Sequence, residues 1–380
     1  MVSPQMSRGR ETSSEMHLDA RLSWSEKVVE VSTLRILHAI RSDGFAGVEQ
    51  FVLRLAIAQA ATGDAVRVIG GDSARMTQAL AAAGVGHTAV ADRTSAVARA
   101  VHRYARDADV VNSHMTAADL AASVALIGVR YAPPIVSTRH FAARRGRAAA
   151  SPVGRLIDSR ISQEISISDA VARAIGRPST VVHPGVGTRD AVDPNSRERT
   201  VLVAQRLQPE KRTRMALDAF AASGLARDGW RLVIAGEGAE RPMLESAATI
   251  LGLAEDVTFL GFRSDIADIM DAAGMLLATA QFEHFGLTVL EAMASGLPVV
   301  ASEAGGHRET LAGLDPRALF SVDDVAAAAR SLRELAEDAY GRRRLGTAER
   351  LRQQSEFSLD AQQASTEAVY RRAIATARSR

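Results

Sequence analysis

Short apolar runs rich in β-branched residues alternate along the chain with longer stretches in which alanine, leucine and arginine recur at helical spacing. "TLRILHAI" gives way to "VEQFVLRLAIAQAATG", then to "AVRVIGG", "ADVVNSH", "PPIVSTRH" and "EISIS". The pattern starts again with "TVLVAQ", "RMALDAFAAS", "WRLVIAG", "PMLESAATILG", "VTFLGF", "DIADIMDAAG", "MLLATA", "LTVLEAMASG" and "PVVAS". Strand-length runs alternating with amphipathic helical runs predict βαβ units and a parallel sheet. Between the two sets lies "VVHPGVGTRDAVDPNSRER", whose Gly/Pro/Asp/Asn-rich part from Gly185 to Asn195 suits a linker. The expected architecture is α/β, with two doubly wound Rossmann-like domains facing across a cleft. Their expected bounds are 34–186 and 187–355, after a tail over 1–33 read as disordered and before a C-terminal helix over 356–380 that crosses back to the first domain.

Composition agrees with two cores, since 380 residues at 47% hydrophobic content exceed what one ordinary domain holds. The absence of cysteine excludes disulfides, redox thiols, zinc fingers and iron–sulfur clusters, and leaves His and carboxylate metal sites open. Lys plus Arg exceeds Asp plus Glu by 46 − 44 = 2, and aromatics are 4%, so nothing argues for a nucleic-acid partner. With no apolar run of about eighteen residues and no secretory core, the expected location is cytoplasmic, at most peripheral at the inner membrane surface. The dense basic cluster "RHFAARRGR" puts Arg139, Arg144, Arg145 and Arg147 beside Phe141. It reads either as a solvated loop or as a contact for a lipid phosphate.

Ligands of doubly wound sheets bind at the carboxyl ends of the strands. In the first half, Gly44 and Gly47 follow a strand in "RSDGFAGVEQFV" and open a helix whose free N–H groups could hold an anion. In the second half, "TVLVAQRLQPEKRTRMALDAF" places Arg206, Lys211, Arg212 and Arg214 around a helix start, where cations oppose the helix dipole. An anion between Arg206 and Lys211, best a phosphate, would remove that conflict. Further on, Glu283 falls in a loop after the strand "MLLATAQFE". Glu291 falls in the helix "FGLTVLEAMAS", whose Leu287, Leu290, Met293 and Ala294 are expected to face inward before Gly296-Leu297-Pro298 stops it. Both carboxylates can then point into one cleft.

This region resembles the E-x7-E segment of retaining glycosyltransferase family 4, enzymes of the GT-B fold that move a sugar from a nucleotide diphosphate donor. The likeness runs from about Leu34 to Phe357 and is carried by "FGLTVLEAMASGLPVV", "VAQRLQPEK", "IAGEGAERPML", "VTFLGF", "GGHRE", "ISISDAVARAIG" and "VVHPGV". The resemblance implies Glu283 near the transferred sugar, Glu291 on the ribose hydroxyls, Arg206 and Lys211 on the diphosphate, and the Gly47 loop behind that diphosphate. It also implies sugar contacts by Gly305, Gly306, Glu309 and His114, and donor contacts around Gly236, Phe262, Phe285, Gly286 and Leu287. The chain departs from the family pattern at Ala46-Gly47, at Gly187 and at His307.

Two other motifs are set aside. "DAD", Asp107 to Asp109, matches a metal-binding pattern of a different glycosyltransferase fold but precedes its strand, and "GEGAER" imitates a dinucleotide fingerprint with Arg241 in place of the third glycine. The implied activity is retaining transfer of a hexose-type sugar from a UDP or GDP donor to a hydroxyl acceptor (a small molecule, a glycan or a lipid-linked group). No metal and no cofactor beyond the nucleotide-sugar donor are expected. The alternative is a non-catalytic GT-B scaffold binding a nucleotide sugar or lipid, or an epimerase of related fold.

Overall fold

A computed structural model describes residues 33–90, 92–142 and 152–379. The expected N-terminal tail and Arg144, Arg145 and Arg147 lie outside the described residues.

Among the described residues the first sheet joins β1 (Arg35–Ile40), β2 (Ala65–Ile69), β3 (Gly86–Thr88), β4 (Val110–His114), β5 (Ile135–Arg139), β6 (Ile161–Ser166) and β7 (Thr180–Val181), in the order β3-β2-β1-β4-β5-β6-β7. Between the strands run α1 (Gly47–Ala61), α2 (Ser73–Ala82), α3 (Thr94–Tyr104), α4 (Thr116–Ala125), α5 (Pro152–Arg160) and α6 (Asp169–Ile175). The second sheet repeats the scheme with β8 (Thr200–Ala204), β9 (Arg231–Ala235), β10 (Val257–Gly261), β11 (Met275–Ala278), β12 (Val299–Ser302) and β13 (Leu319–Phe320), in the order β10-β9-β8-β11-β12-β13. Its helices are α7 (Thr213–Ser223), α8 (Arg241–Ile250), α9 (Ile266–Ala272), α10 (Leu287–Ala294), α11 (Gly306–Leu311), α12 (Val325–Glu337) and α13 (Ala339–Glu356), and α14 (Leu359–Arg378) follows.

Every ladder is parallel. Helices cover both faces, which is why β4 and β11 are buried along their whole length and why β11, MLLA, reads as an apolar run without alternation. In both sheets the chain reverses its winding between the first and fourth strands, β1 and β4 or β8 and β11. The loops after these strands therefore open into the crevice where such sheets take ligands.

The chain crosses between the sheets twice, and the crossings touch. Val186 N–H donates to Phe357 O at 3.1 Å, and Gly185 N–H to Gln362 Oε1 at 2.6 Å. A Cβ on Gly185 would stand 2.2 Å from Ser358 O, so only glycine lets the strands meet here. Helix α14 returns to pack on α1 and on β4, β5 and β6. Its Tyr370 is sealed in the first core, where the hydroxyl accepts from Asn112 Nδ2 at 2.5 Å.

Candidate functional site

The loop after β8 is held in shape and tied to the loop after β11 through its backbone carbonyls. Thr279 Oγ donates to Lys211 O at 2.9 Å, Gln205 Nε2 donates to the same carbonyl at 3.1 Å, and Gln281 N–H donates to Glu210 O at 3.0 Å. These bonds set Arg212 in a left-handed conformation (φ +55°) just before α7 and aim Lys211 at the facing loop. There Lys211 Nζ meets Glu283 Oε2 at 2.6 Å, with side chains 19% and 15% exposed. Burial pushes the Glu283 carboxyl up, but Lys211, His307 and His284 outweigh it and hold the group below the ordinary carboxylate range.

Three glycines shape this loop. Gly286, at φ +98°, turns the chain into α10. A Cβ on Gly305 would stand 2.0 Å from Glu283 O, and one on Gly306 would stand 2.2 Å from Phe285 Cα. The turn at 305–306 thus lies flat on the Glu283 loop, and Gly306 N–H donates to Glu283 O at 3.0 Å. Gly236, after β9, does the same service for Gln205, whose carbonyl would stand 1.9 Å from an added Cβ.

Several expected positions come out differently. Helix α10 starts at Leu287, not Phe285, and the left-handed Gly286 rotates Leu287 to a half-buried place 3.8 Å from where a Cβ on Gly47 would lie, while Val289 takes the buried position. The Phe285 side chain leaves the cleft and stacks on His183, with centroids 5.3 Å apart, so that only its backbone can serve a ligand. Each cation around α7 also holds a carboxylate: Arg206 with Glu210 at 3.2 Å, Lys211 with Glu283, Arg212 with Asp323 and Arg214 with Asp218. Arg139 is no surface cation, being buried beside Glu164 on the neighbouring strand.

The two halves meet across the cleft, and several of the residues that join them, Arg54, Arg75, Ser168 and His284 among them, were not singled out from the sequence. Arg54, on α1, pairs with Glu291, on α10. Glu49 holds the Ala46 N–H at 2.8 Å, placing a carboxylate at the start of α1. His284 accepts from Ala142 N–H at 3.1 Å and receives the Phe141 ring edge-on at 5.0 Å, and its carbonyl accepts from Ser168 Oγ at 2.8 Å. The Arg75 guanidinium stands 5.5 Å from the Phe45 ring and 5.3 Å from the exposed Phe262 ring, bridging the halves by cation–π contacts. A pair such as Arg54 and Glu291, 237 positions apart, leaves no local signal in a sequence.

Glu309 caps α6 of the first half, accepting from Asp169 N–H at 2.9 Å and Ala170 N–H at 2.8 Å. Its Oε2 also lies 3.3 Å from His183 Nε2. Burial pushes its carboxyl up, and His183 and the two backbone donors outweigh this and hold it low. Asp169, His183 and Glu309 could in principle gather a cation, but Glu309 already has these partners. His114 is fully buried, with both ring nitrogens engaged by other histidines.

The two set-aside motifs stand at the wrong places. Asp109 precedes β4 and is bound by Arg35, and Gly236 and Gly238 follow β9, away from the switch point. A cavity of about 300 Å³ opens at the amino ends of β11 and β12, opposite the cleft. Its Arg197 and Arg342 are occupied by backbone carbonyls at helix ends. No described helix is long and apolar enough to cross a membrane.

Residues 188–352 match the family model described as Glycosyl transferases group 1. The lipopolysaccharide core biosynthesis mannosyltransferase LpsB of Rhizobium meliloti is 28% identical over 187 residues, covering 44% of this chain and 53% of that protein. A GDP-mannose-dependent α-(1-6)-phosphatidylinositol dimannoside mannosyltransferase of Mycobacterium tuberculosis is 41% identical over 107 residues, 28% of each chain. The chain thus spans about half or less of the length of these curated relatives. Among solved structures, Anabaena HepE in complex with UDP and glucose superposes with a TM-score of 0.75 at 19% identity, covering 88% of this chain and 98% of that one. The fold expected from the strand pattern is the fold found: two parallel-sheet Rossmann-like domains, as in GT-B glycosyltransferases.

Proposed function

We propose, taking the group 1 glycosyltransferase match over residues 188–352 as the premise, that this protein moves a hexose-type sugar from a UDP or GDP donor to a hydroxyl acceptor with retention at the sugar carbon. The observation that carries the proposal is the pairing of Lys211 with Glu283 in the loops after β8 and β11, beside the start of α10, which itself packs on the start of α1. Mannosyltransferases among the relatives and a UDP-bound neighbour of the same fold support it.

On this reading the diphosphate lies between α1 and the loop after β8, where Lys211 and the exposed Arg206 meet its charge. As the bond from the sugar carbon to the diphosphate breaks, negative charge grows on the leaving oxygen. Fixed cations therefore stabilise the transition state more than the bound donor. The acceptor oxygen bonds to the same face of the sugar carbon, and its proton passes to the leaving phosphate oxygen. No divalent ion is assigned a step.

Glu283, kept ionised by Lys211, accepts from sugar hydroxyls or steadies positive charge at the sugar carbon. Glu291 accepts from the ribose hydroxyls, with Arg54 fixing its orientation. The backbone at 285–287 and 305–306 supplies N–H groups, and Phe262 offers a face for the base. The acceptor lies against the first half and is a small molecule, a glycan or a lipid-linked group. The test is nucleotide release from a panel of UDP- and GDP-sugars, with and without acceptors. Release that depends on an acceptor supports transfer, and binding of donors with no release under any acceptor would return the protein to the class of non-catalytic scaffolds.

A further inference from the structure

His38, His114 and His140 climb the first sheet like a stair. The β1/β4 register pairs His38 with Asn112, and the β4/β5 register pairs His114 with Thr138. Each histidine therefore lies one strand across from the last and two residues nearer the carboxyl end. Because side chains two apart share a face, all three rings stand on one side of the sheet, each step rising roughly 6–7 Å along the strands.

The rings are joined. Gln59 Oε1, from α1, is 2.8 Å from His38 Nε2; His38 Nδ1 is 3.0 Å from His114 Nε2; His114 Nδ1 is 3.0 Å from His140 Nε2. All three histidines are buried, and burial lowers His38 to about 4, His140 to about 3 and His114 well below its ordinary value. Each ring thus carries one N–H.

With Gln59 Oε1 turned to the ring, an oxygen that can only accept, His38 carries its proton on Nε2. Its Nδ1 then accepts from His114 Nε2–H, and His114 Nδ1 accepts from His140 Nε2–H. What remains at the top is the lone pair of His140 Nδ1, which makes no hydrogen bond among the described residues. Two residues on, Ala142 N–H reaches His284, the neighbour of Glu283, so the stair ends at the cleft.

We propose that Gln59 sets the direction of a histidine relay running through His38 and His114 to His140, whose Nδ1 lone pair receives a hydroxyl of the bound sugar. This rests on the glycosyl-transfer reading. A lone pair attracts an O–H and repels a phosphate oxygen, so the relay selects the sugar over the diphosphate. His114, whose two nitrogens are both engaged, becomes a positioning residue that acts through His140.

The test uses the full chain with ¹⁵N-labelled histidine, reading ring protonation by long-range ¹H–¹⁵N correlation. The expected result is Nε2–H and bare Nδ1 at all three positions from pH 8 to pH 5.5. Saturating nucleotide sugar should move the His140 Nδ1 resonance, and the nucleoside diphosphate alone should not. Gln59→Leu should mix the tautomers and cut kcat/KM about tenfold, and Gln59→Glu, which keeps the accepting oxygen, should restore the tautomers and most of the turnover.

A proton on His140 Nδ1 in the parent overturns the relay, and this measurement needs no variant to fold. An equal response to the diphosphate alone, or mixed tautomers with turnover within twofold of the parent, overturns the hydroxyl assignment. If no nucleotide sugar binds while the Nε2–H pattern stands, the glycosyl-transfer reading and the hydroxyl assignment fail together, and the direction of the relay survives.

Discussion

In the first sheet, three buried histidines are joined ring to ring and step up to the carboxyl end, where His140 keeps a small exposed edge. At the same place on the second sheet, Lys211 and Glu283 keep their charges within reach of the cleft. Both sheets have the same order from first to sixth strand, so the difference is one of side chains and not of topology. It teaches that one winding can build two kinds of surface at its switch point. The neutral, geometrically fixed one suits hydroxyls, and the charged one suits a group whose charge changes during reaction.

The largest expected effect strikes the charged side. Lys211→Ala removes a cation from a growing charge and should lower kcat/KM by about 10²-fold or more, with Arg206→Ala acting in the same direction. Steady-state kinetics with parent-like melting curves would check this. Unchanged kcat in both variants would put the charged surface outside the reaction.

Close packing of the loops gives the next prediction. Gly306→Ala drives a Cβ into the Phe285 backbone, and such overpacking costs about 1–3 kcal/mol, read as a lower denaturant midpoint with turnover falling alongside. A variant as stable as the parent would mean that the turn moves freely over the Glu283 loop.

On the neutral side, the sign follows from the lowered histidines. With His38 at about 4 in the folded chain and 6.5 ordinarily, the unfolded chain binds the extra proton. The stability due to the uncharged ring is therefore present above pH 6.5 and is lost as pH falls towards 4. At pH 5 the loss for this one ring is about 2 kcal/mol. Thermal melts of parent and His38→Asn between pH 7.5 and 4.5 should converge as the acid end is approached. Parallel curves would show that His38 is not held neutral.

A smaller effect separates the two acidic residues. Glu291→Gln should raise donor KM about tenfold with kcat nearly kept, because ribose contacts are made equally in ground and transition states. Glu283→Gln should fall mainly on kcat, and equal KM values for the pair would contradict the division.

How far the sequence foretold this depends on the range of each interaction. Alternation of strand-like and helix-like runs exposed both sheets, because parallel strands covered on two faces are written as unbroken apolar runs such as "MLLA". Glu283 and Lys211 were legible since each follows a strand at its carboxyl end. Arg139 was misread because its partner Glu164 sits on the neighbouring strand, and a basic cluster shows only its own charges. Arg54 had no signal, being one arginine on an amphipathic helix. His140 did have one, for "STRHF" sets it directly after a strand, as "NSH" sets His114 at the end of one, yet a lone histidine says nothing of the rings it will meet.

Turnover in EDTA tests the central claim most directly: that fixed cations of the second half, and no divalent ion, carry the diphosphate of a sugar donor. Nucleotide release should be followed for parent and Lys211→Ala with donor, acceptor and chelator present. The account predicts full parental activity in EDTA and a loss of about 10²-fold in the variant that Mn²⁺ does not repair. Parental activity abolished by EDTA and restored by Mn²⁺ would contradict it.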